Sequence, residues 1–295
     1  SLLVVAALGY MTFAFYKSKL AIINTSSVLF FNKLIPFAFL ILAYFTLFNE
    51  IQFFWDLKIM AGGNTAVTNV QKLLKPIVLL MYTFIFFAIC LRISSAYIKK
   101  QIVYEILIGL SFLSITVFLF QGLNLLGELR ENYLSKWNST PSMWLLNIRY
   151  VLFATLAVLW VSISNTLKAF SPSANFKAAI SVVFNVTLLA VISNEFIHWM
   201  DVAGYQNQYK LGLSLICGAY ALALLFIGIL QKKKHLRMFA MVIFAVTIVK
   251  LFFYDLSSLS TISKTIVLVL LGVLLLFASF LYNKYKDLLF GKEES

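Results

Sequence analysis

Lys250 stands deep inside an apolar run, flanked by Ile248, Val249, Leu251 and Phe252, and Asp255 closes the same run. An ammonium in hydrocarbon costs roughly 3 kcal/mol or more unless it snorkels or is paired, so this placement asks for a partner. Asp255 is five residues on, about 140° around an ideal helix, and does not face it. The partner is therefore expected from another helix: Glu195 in ISNEFIHWMD first, Asp201 or Glu50 otherwise. Two chemistries fit such a pair. A structural interhelix ion pair is the default, and a proton or substrate relay is the sharper alternative.

His198 follows Glu195 by three residues, and positions i and i+3 share a helix face, which would suit a general base steadied by a carboxylate. Beside Trp199, the same histidine also reads as an amphipathic anchor at the membrane interface. No Ser-His-Asp order, HExxH, Walker loop or glycine fingerprint accompanies it. The other histidine, His235, sits in the basic turn KKKH and is expected to be solvated. Cys90 and Cys217 lie in separate apolar runs with no CxxC spacing, so small buried apolar roles are expected, with no disulfide framework, metal site or cofactor. Asp56, Glu128, Glu131 and Arg149 complete the ionisable groups that could join Lys250, Asp255, Glu195, His198, Asp201 and Glu50 in one outward-opening cavity.

The elements that must hold these residues are membrane helices. The chain is 62% hydrophobic and 12% charged, far from a soluble domain of 295 residues. Ten-residue alternating segments are missing, which argues against an outer-membrane barrel. The fold class is all-α: a polytopic helical membrane protein with no soluble domain, residues 1–295 forming a single transmembrane domain. A window of about twenty residues marks nine spans, near 1–16, 29–48, 73–91, 102–122, 148–169, 177–197, 210–230, 236–256 and 262–283. Pro36 is expected to kink or start the second span. Gly212, Gly218 and Ala219 in the seventh permit close helix approach, and Asn165, Asn185 and Asn194 are expected to bond across helices. Two long outer segments, Asn49–Lys72 and Leu123–Asn147, read as loops that could hold interfacial amphipathic helices.

With these spans, fifteen of the 24 basic residues fall on one side, and the net charge divides as +11 against +2. The positive-inside rule makes the richer side cytoplasmic, with the C-terminus inside and Ser1 outside. Orientation thus accounts for the basicity, and nucleic acid is not an expected partner. Membrane lipids are, because the Lys232–Lys234 turn suits anionic head groups. The start, SLLVVAALGY, has neither an initiator Met nor a basic segment before its apolar run, and reads as a cut from a longer chain.

The last two spans form a hairpin, KLFFYDL, then SSLS, then a run ending LGVLLLFASFLY. This order, with LGLSLICGAYALALLFIG and the basic turn before it, resembles the C-terminal end of the bacterial predicted membrane protein family called domain of unknown function 2339. The resemblance is sharpest over 208–286. It implies the bacterial inner (cytoplasmic) membrane and a longer natural chain, whose upstream part would be one partner and other membrane subunits another. The family usually has an arginine where the last helix begins; here that stretch is Ile262-Ser263-Lys264-Thr265, so Lys264 would stand in as a point charge.

Charged residues within spans and an elaborated outer face point to non-enzymatic transport or handling of an envelope lipid, glycan precursor or small solute. The alternatives are a structural or assembly subunit of a membrane complex and a membrane-embedded transferase acting at the outer leaflet.

Overall fold

The structure is a computed structural model that describes residues 9–10, 26–62, 65–98, 101–135, 144–170, 172–205, 209–251 and scattered helical positions between 265 and 280. Helices α1 (Ser26–Ala61), α2 (Thr65–Ile93), α3 (Gln101–Val117), α4 (Leu123–Leu134), α5 (Trp144–Ala169), α6 (Ala174–Val202), α7 (Tyr209–Leu230) and α8 (Lys234–Lys250) follow in order. π-helical turns at Ser94–Ile98 and Phe118–Gly122 extend α2 and join α3 to α4. Among the described residues there is no strand, so the all-α class stands.

Among the described residues six stretches are long and apolar enough to cross a membrane: Ala38–Ala61, Thr68–Ala96, Gln101–Leu134, Trp144–Ala169, Ala174–Val202 and Gly212–Leu230. These correspond to the second through seventh expected spans, and the count of nine is not reached among the described residues. The eighth appears in part, as the 17 residues of α8. Most of 1–16 and 262–283 lies outside the described residues.

The chain gathers into two compact units, Ser1–Thr166 and Leu167–Ser295. In the first, α2 is the hub, touching α1, α3 and α4. Its buried residues Leu74, Ile77, Met81, Phe84, Ala88 and Leu91 recur at alternating steps of three and four, the seam of a left-handed helix bundle. Helix α5 repeats that spacing with Arg149, Leu152, Leu156, Leu159, Ile163 and Thr166. Rings knit the layers: Phe84 meets Phe118 edge-on at 5.9 Å, and Phe118 meets Phe153 at 6.3 Å. Several buried hydroxyls are satisfied within their own helices, as Ser111 donates to the Leu107 carbonyl at 2.7 Å and Thr166 to that of Ser162 at 2.9 Å. That is the inexpensive way to keep a polar atom in hydrocarbon.

Helix α1 begins at Ser26 and runs 36 residues through Pro36, so the proline does not start it. The segment Asn49–Lys72 is not a long loop either: α1 continues to Ala61, α2 resumes at Thr65, and only 62–64 lie between. Residues 50–61 contain no Gly or Pro, so nothing stops the helix until the Gly62-Gly63 pair. Thr68 donates to the Gly62 carbonyl at 3.2 Å, and a Cβ at Gly62 would lie 2.9 Å from the Thr68 hydroxyl oxygen, so glycine is what lets the two helices turn this tightly. Likewise Leu123–Leu134 is the continuation of α3 as α4, and 136–143 lie outside the described residues.

In the second unit, α6, α7 and α8 contact one another pairwise, α7 and α8 most extensively. Leu224, Leu225 and Ile229 of α7 pack on Leu236 and Ala240 of α8, with Tyr220 and Phe239 at the margin. Gly228 permits this approach, since a Cβ there would lie 2.9 Å from Arg237 Cγ and 3.1 Å from its backbone nitrogen. Gly212 serves α6 in the same way, receiving the Phe196 ring.

Candidate functional site

The charged residues expected to converge are distributed over both units. Glu50 lies on α1, exposed, and Arg149 on α5, 2% exposed, in the first unit. Arg149 occupies the first position of the buried α5 seam. Glu195, His198 and Asp201 lie on α6, and Lys250 ends α8, in the second unit. Asp255 and Lys264 lie outside the described residues.

Lys250 Nζ donates to Ser214 Oγ of α7 at 3.1 Å, and Ser214 is 1% exposed. Sixteen residues separate Lys250 from Lys234, about 24 Å of helix, which sets the ammonium near the far side of a core roughly 30 Å thick. A serine hydroxyl one side chain away answers part of its desolvation cost. Cys217 follows Ser214 by three residues on the same face, and both Ser193 of α6 and the Lys250 charge act on its thiol. Rather than a plain buried packing residue, Cys217 is half-buried and part of this polar group.

His198 is buried on α6 with its ring edge-on to Trp199 at 5.6 Å. Asp201 gives its carbonyl to the Gly204 amide at 3.1 Å where the helix ends. Asn185 does bridge helices: Tyr220 of α7 donates to its side-chain oxygen at 2.8 Å, while its own amide donates to the Ser181 carbonyl at 2.7 Å. Asn165 is exposed. Among the described residues no group of three His, Cys, Asp or Glu could hold a metal ion. In the basic turn, His235 is partly buried, and desolvation followed by the neighbouring Lys233 charge lowers its pKa below the ordinary 6.5.

A second site lies in the first unit. Between α1, α2 and α3 runs a groove of about 530 Å³. Leu40, Ile41, Phe45 and Phe48 form one wall, Pro76, Leu79 and Leu80 a second, and Leu110, Leu113 and Val117 a third. Tyr44 shapes its floor, stacked on Tyr82 and Phe87 at 5.6 and 5.9 Å. The polar atoms there are engaged, with Tyr44 and Thr83 hydroxyls 3.1 Å apart and Tyr82 donating to the Tyr44 carbonyl at 3.0 Å. The lining therefore presents hydrocarbon along its length and one amide, Gln121, at one end.

That end is unusual in three ways. Gln121 belongs to the π-helical turn Phe118–Gly122, a geometry that concentrates at functional sites. Gly122 beside it lets the turn sit on α2, because a Cβ would lie 2.8 Å from the Phe118 ring and 3.1 Å from Leu80 Cδ1. Beyond it, Lys75 of α2 and Asp56 of α1 form an ion pair at 2.7 Å, with side chains 20% and 40% exposed. Asp56 was among the residues weighed from sequence, but Lys75 was not. The pair spans the helical hairpin and is 19 residues apart, a separation that becomes meaningful only when 50–61 is helical.

A family model described as predicted membrane protein, domain of unknown function 2339, matches residues 2–285. No curated protein and no solved structure matches the chain. The likeness drawn above over 208–286 thus extends across nearly the whole sequence, including the grooved first unit. Six membrane-length apolar helices and this match together make the chain a multi-pass helical membrane protein that belongs to the DUF2339 family.

Proposed function

We propose that the protein handles an envelope lipid without covalent chemistry, holding an acyl chain in the groove between α1, α2 and α3. The observation that carries the reading is the groove itself: about 530 Å³, apolar along its length, with its polar amide at one end. Volumes of 300–1,000 Å³ suit small ligands, and the segregation of polar from apolar lining suits an amphiphile better than a sugar or a hydrophilic solute. Lining residues 110 to 121 cover about 16 Å of helix, so the ligand is elongated. In this reading the membrane is the bacterial inner membrane, the C-terminus is cytoplasmic, and the groove's polar end faces outward.

The test is photo-crosslinking in liposomes with a phospholipid carrying a diazirine in its acyl chain. Labelled peptides should concentrate in 40–48, 76–87 and 110–121, and Val117→Trp, which fills the groove, should reduce them severalfold. Labelling spread evenly over the apolar faces of α5, α6 and α7, and unchanged by Val117→Trp, would count against the reading.

An assembly subunit is the second reading, favoured by α1, in which no residue of 38–61 is buried. Bilayer lipid alone satisfies that face, so the groove decides between them. Cross-linking in native membranes that captured α1 against another protein would reverse the order.

A further inference from the structure

Opposite charges lie side by side where the groove ends. Pro76 lines it, Lys75 precedes Pro76, and the Lys75 side chain reaches across to Asp56 on the neighbouring wall helix at 2.7 Å. We infer that this ion pair is the headgroup subsite of the groove and that it takes a zwitterionic phospholipid, phosphate on Lys75 and ammonium on Asp56. The inference rests on the acyl-chain reading and names the lipid class that reading leaves open.

Charge balance carries the argument. The pair is partly exposed, and an ion pair that solvent reaches is worth little, so Lys75 and Asp56 can exchange each other for new partners at small cost. A headgroup bearing both signs returns one charge-assisted contact to each, leaving neither alone. An anionic headgroup would satisfy Lys75 but set a second negative charge beside Asp56, and an uncharged one would satisfy neither. Lys58, on α1 with Asp56, is held over the Phe54 and Trp55 rings at 5.2 and 5.4 Å and so does not replace Lys75. Asp56 is the more exposed partner, the side on which an ammonium can approach.

The experiment is competition in nanodiscs containing the full chain. A photo-crosslinkable acyl-chain lipid is displaced by phosphatidylethanolamine, phosphatidylglycerol or diacylglycerol of identical chains. Phosphatidylethanolamine should displace it roughly two- to fivefold better than the other two, the worth of one additional exposed ion pair. Asp56→Asn should abolish the advantage over phosphatidylglycerol. The charge-swapped double variant Asp56→Lys with Lys75→Asp keeps the pair and should keep the advantage, so a folding defect in one single variant does not decide the matter. Equal displacement by all three lipids, or better displacement by phosphatidylglycerol, overturns the headgroup assignment while the acyl-chain reading stands. No groove crosslinking to displace overturns both.

Discussion

Lys250 shows what a single residue type in the wrong solvent reveals. Its position in an apolar run called for compensation, and the structure supplies Ser214 at 3.1 Å. Hydrogen bonds between membrane helices average about 0.6 kcal/mol and reach about 1.7. Lys250→Met and Ser214→Ala should therefore be non-additive by an amount in that range, read as thermal stability in detergent, and strict additivity would remove the contact from the account. The pairing of Lys250 with Glu195 is a separate proposal: Glu195→Gln combined with Lys250→Met should be less damaging than the two losses summed, because a lone buried charge is worse than none. At the basic turn before α8, His235 has its pKa lowered by desolvation and by Lys233. The folded state then binds a proton less readily than the unfolded one, so stability is full above pH 6.5 and is lost as pH falls through the lowered value. His235→Gln should flatten that dependence in melting curves between about pH 5 and 7, and an unchanged slope would assign it to another group. Sequence alone marks such residues by charge in apolar context. Asp56 and Lys75 escaped as a pair because Asp56 falls in a segment that reads as loop, and it faces Lys75 at the start of the third span only once α1 is known to continue.

Two helices of the second unit end in the same hydrogen-bond pattern with different residues at its critical position. Helix α6 closes with Tyr205 N donating to the Met200 carbonyl at 3.0 Å and Gly204 N to Asp201 at 3.1 Å, Gly204 having φ +85°. Helix α7 closes with Lys233 N donating to Gly228 at 3.0 Å and Lys232 N to Ile229 at 3.1 Å, but Lys232 holds the left-handed position at φ 53°. Both are Schellman endings, and glycine is the residue that adopts that conformation without strain. Lys232→Gly should stabilise the α7–α8 hairpin by about 1 kcal/mol, and Gly204→Ala should destabilise α6 by a similar amount. Equal melting temperatures for the two variants would contradict the assignment. Gly122→Ala tests the groove's π turn, since its Cβ would crowd the Phe118 ring and Leu80; overpacking of this kind costs about 1–3 kcal/mol. Helices were legible wherever an apolar run filled a membrane. Their ends were not, because hydropathy stops at the interface while the backbone continues: 50–61 and 123–134 are polar enough to read as loop, yet neither contains a proline and the second only the single Gly127, which a helix tolerates.

At the scale of the whole molecule, the uneven charge of the two sides is the basis for orientation. A cysteine placed at position 233 should be shielded from an impermeant thiol reagent in intact cells and one at 137 should react; the opposite pattern would invert the topology. The grooved first unit was the part least visible beforehand, because a groove between three helices is a property of their packing and no motif announces it. Its occupant is the central claim, and a cryo-EM map of the full chain in lipid nanodiscs addresses it most directly. One elongated density is expected between α1, α2 and α3, running from the Tyr44–Thr83 contact to Gln121, with its wider end near Lys75 and Asp56. A groove closed by protein side chains, or elongated densities only on the outer faces of the helices, would contradict it.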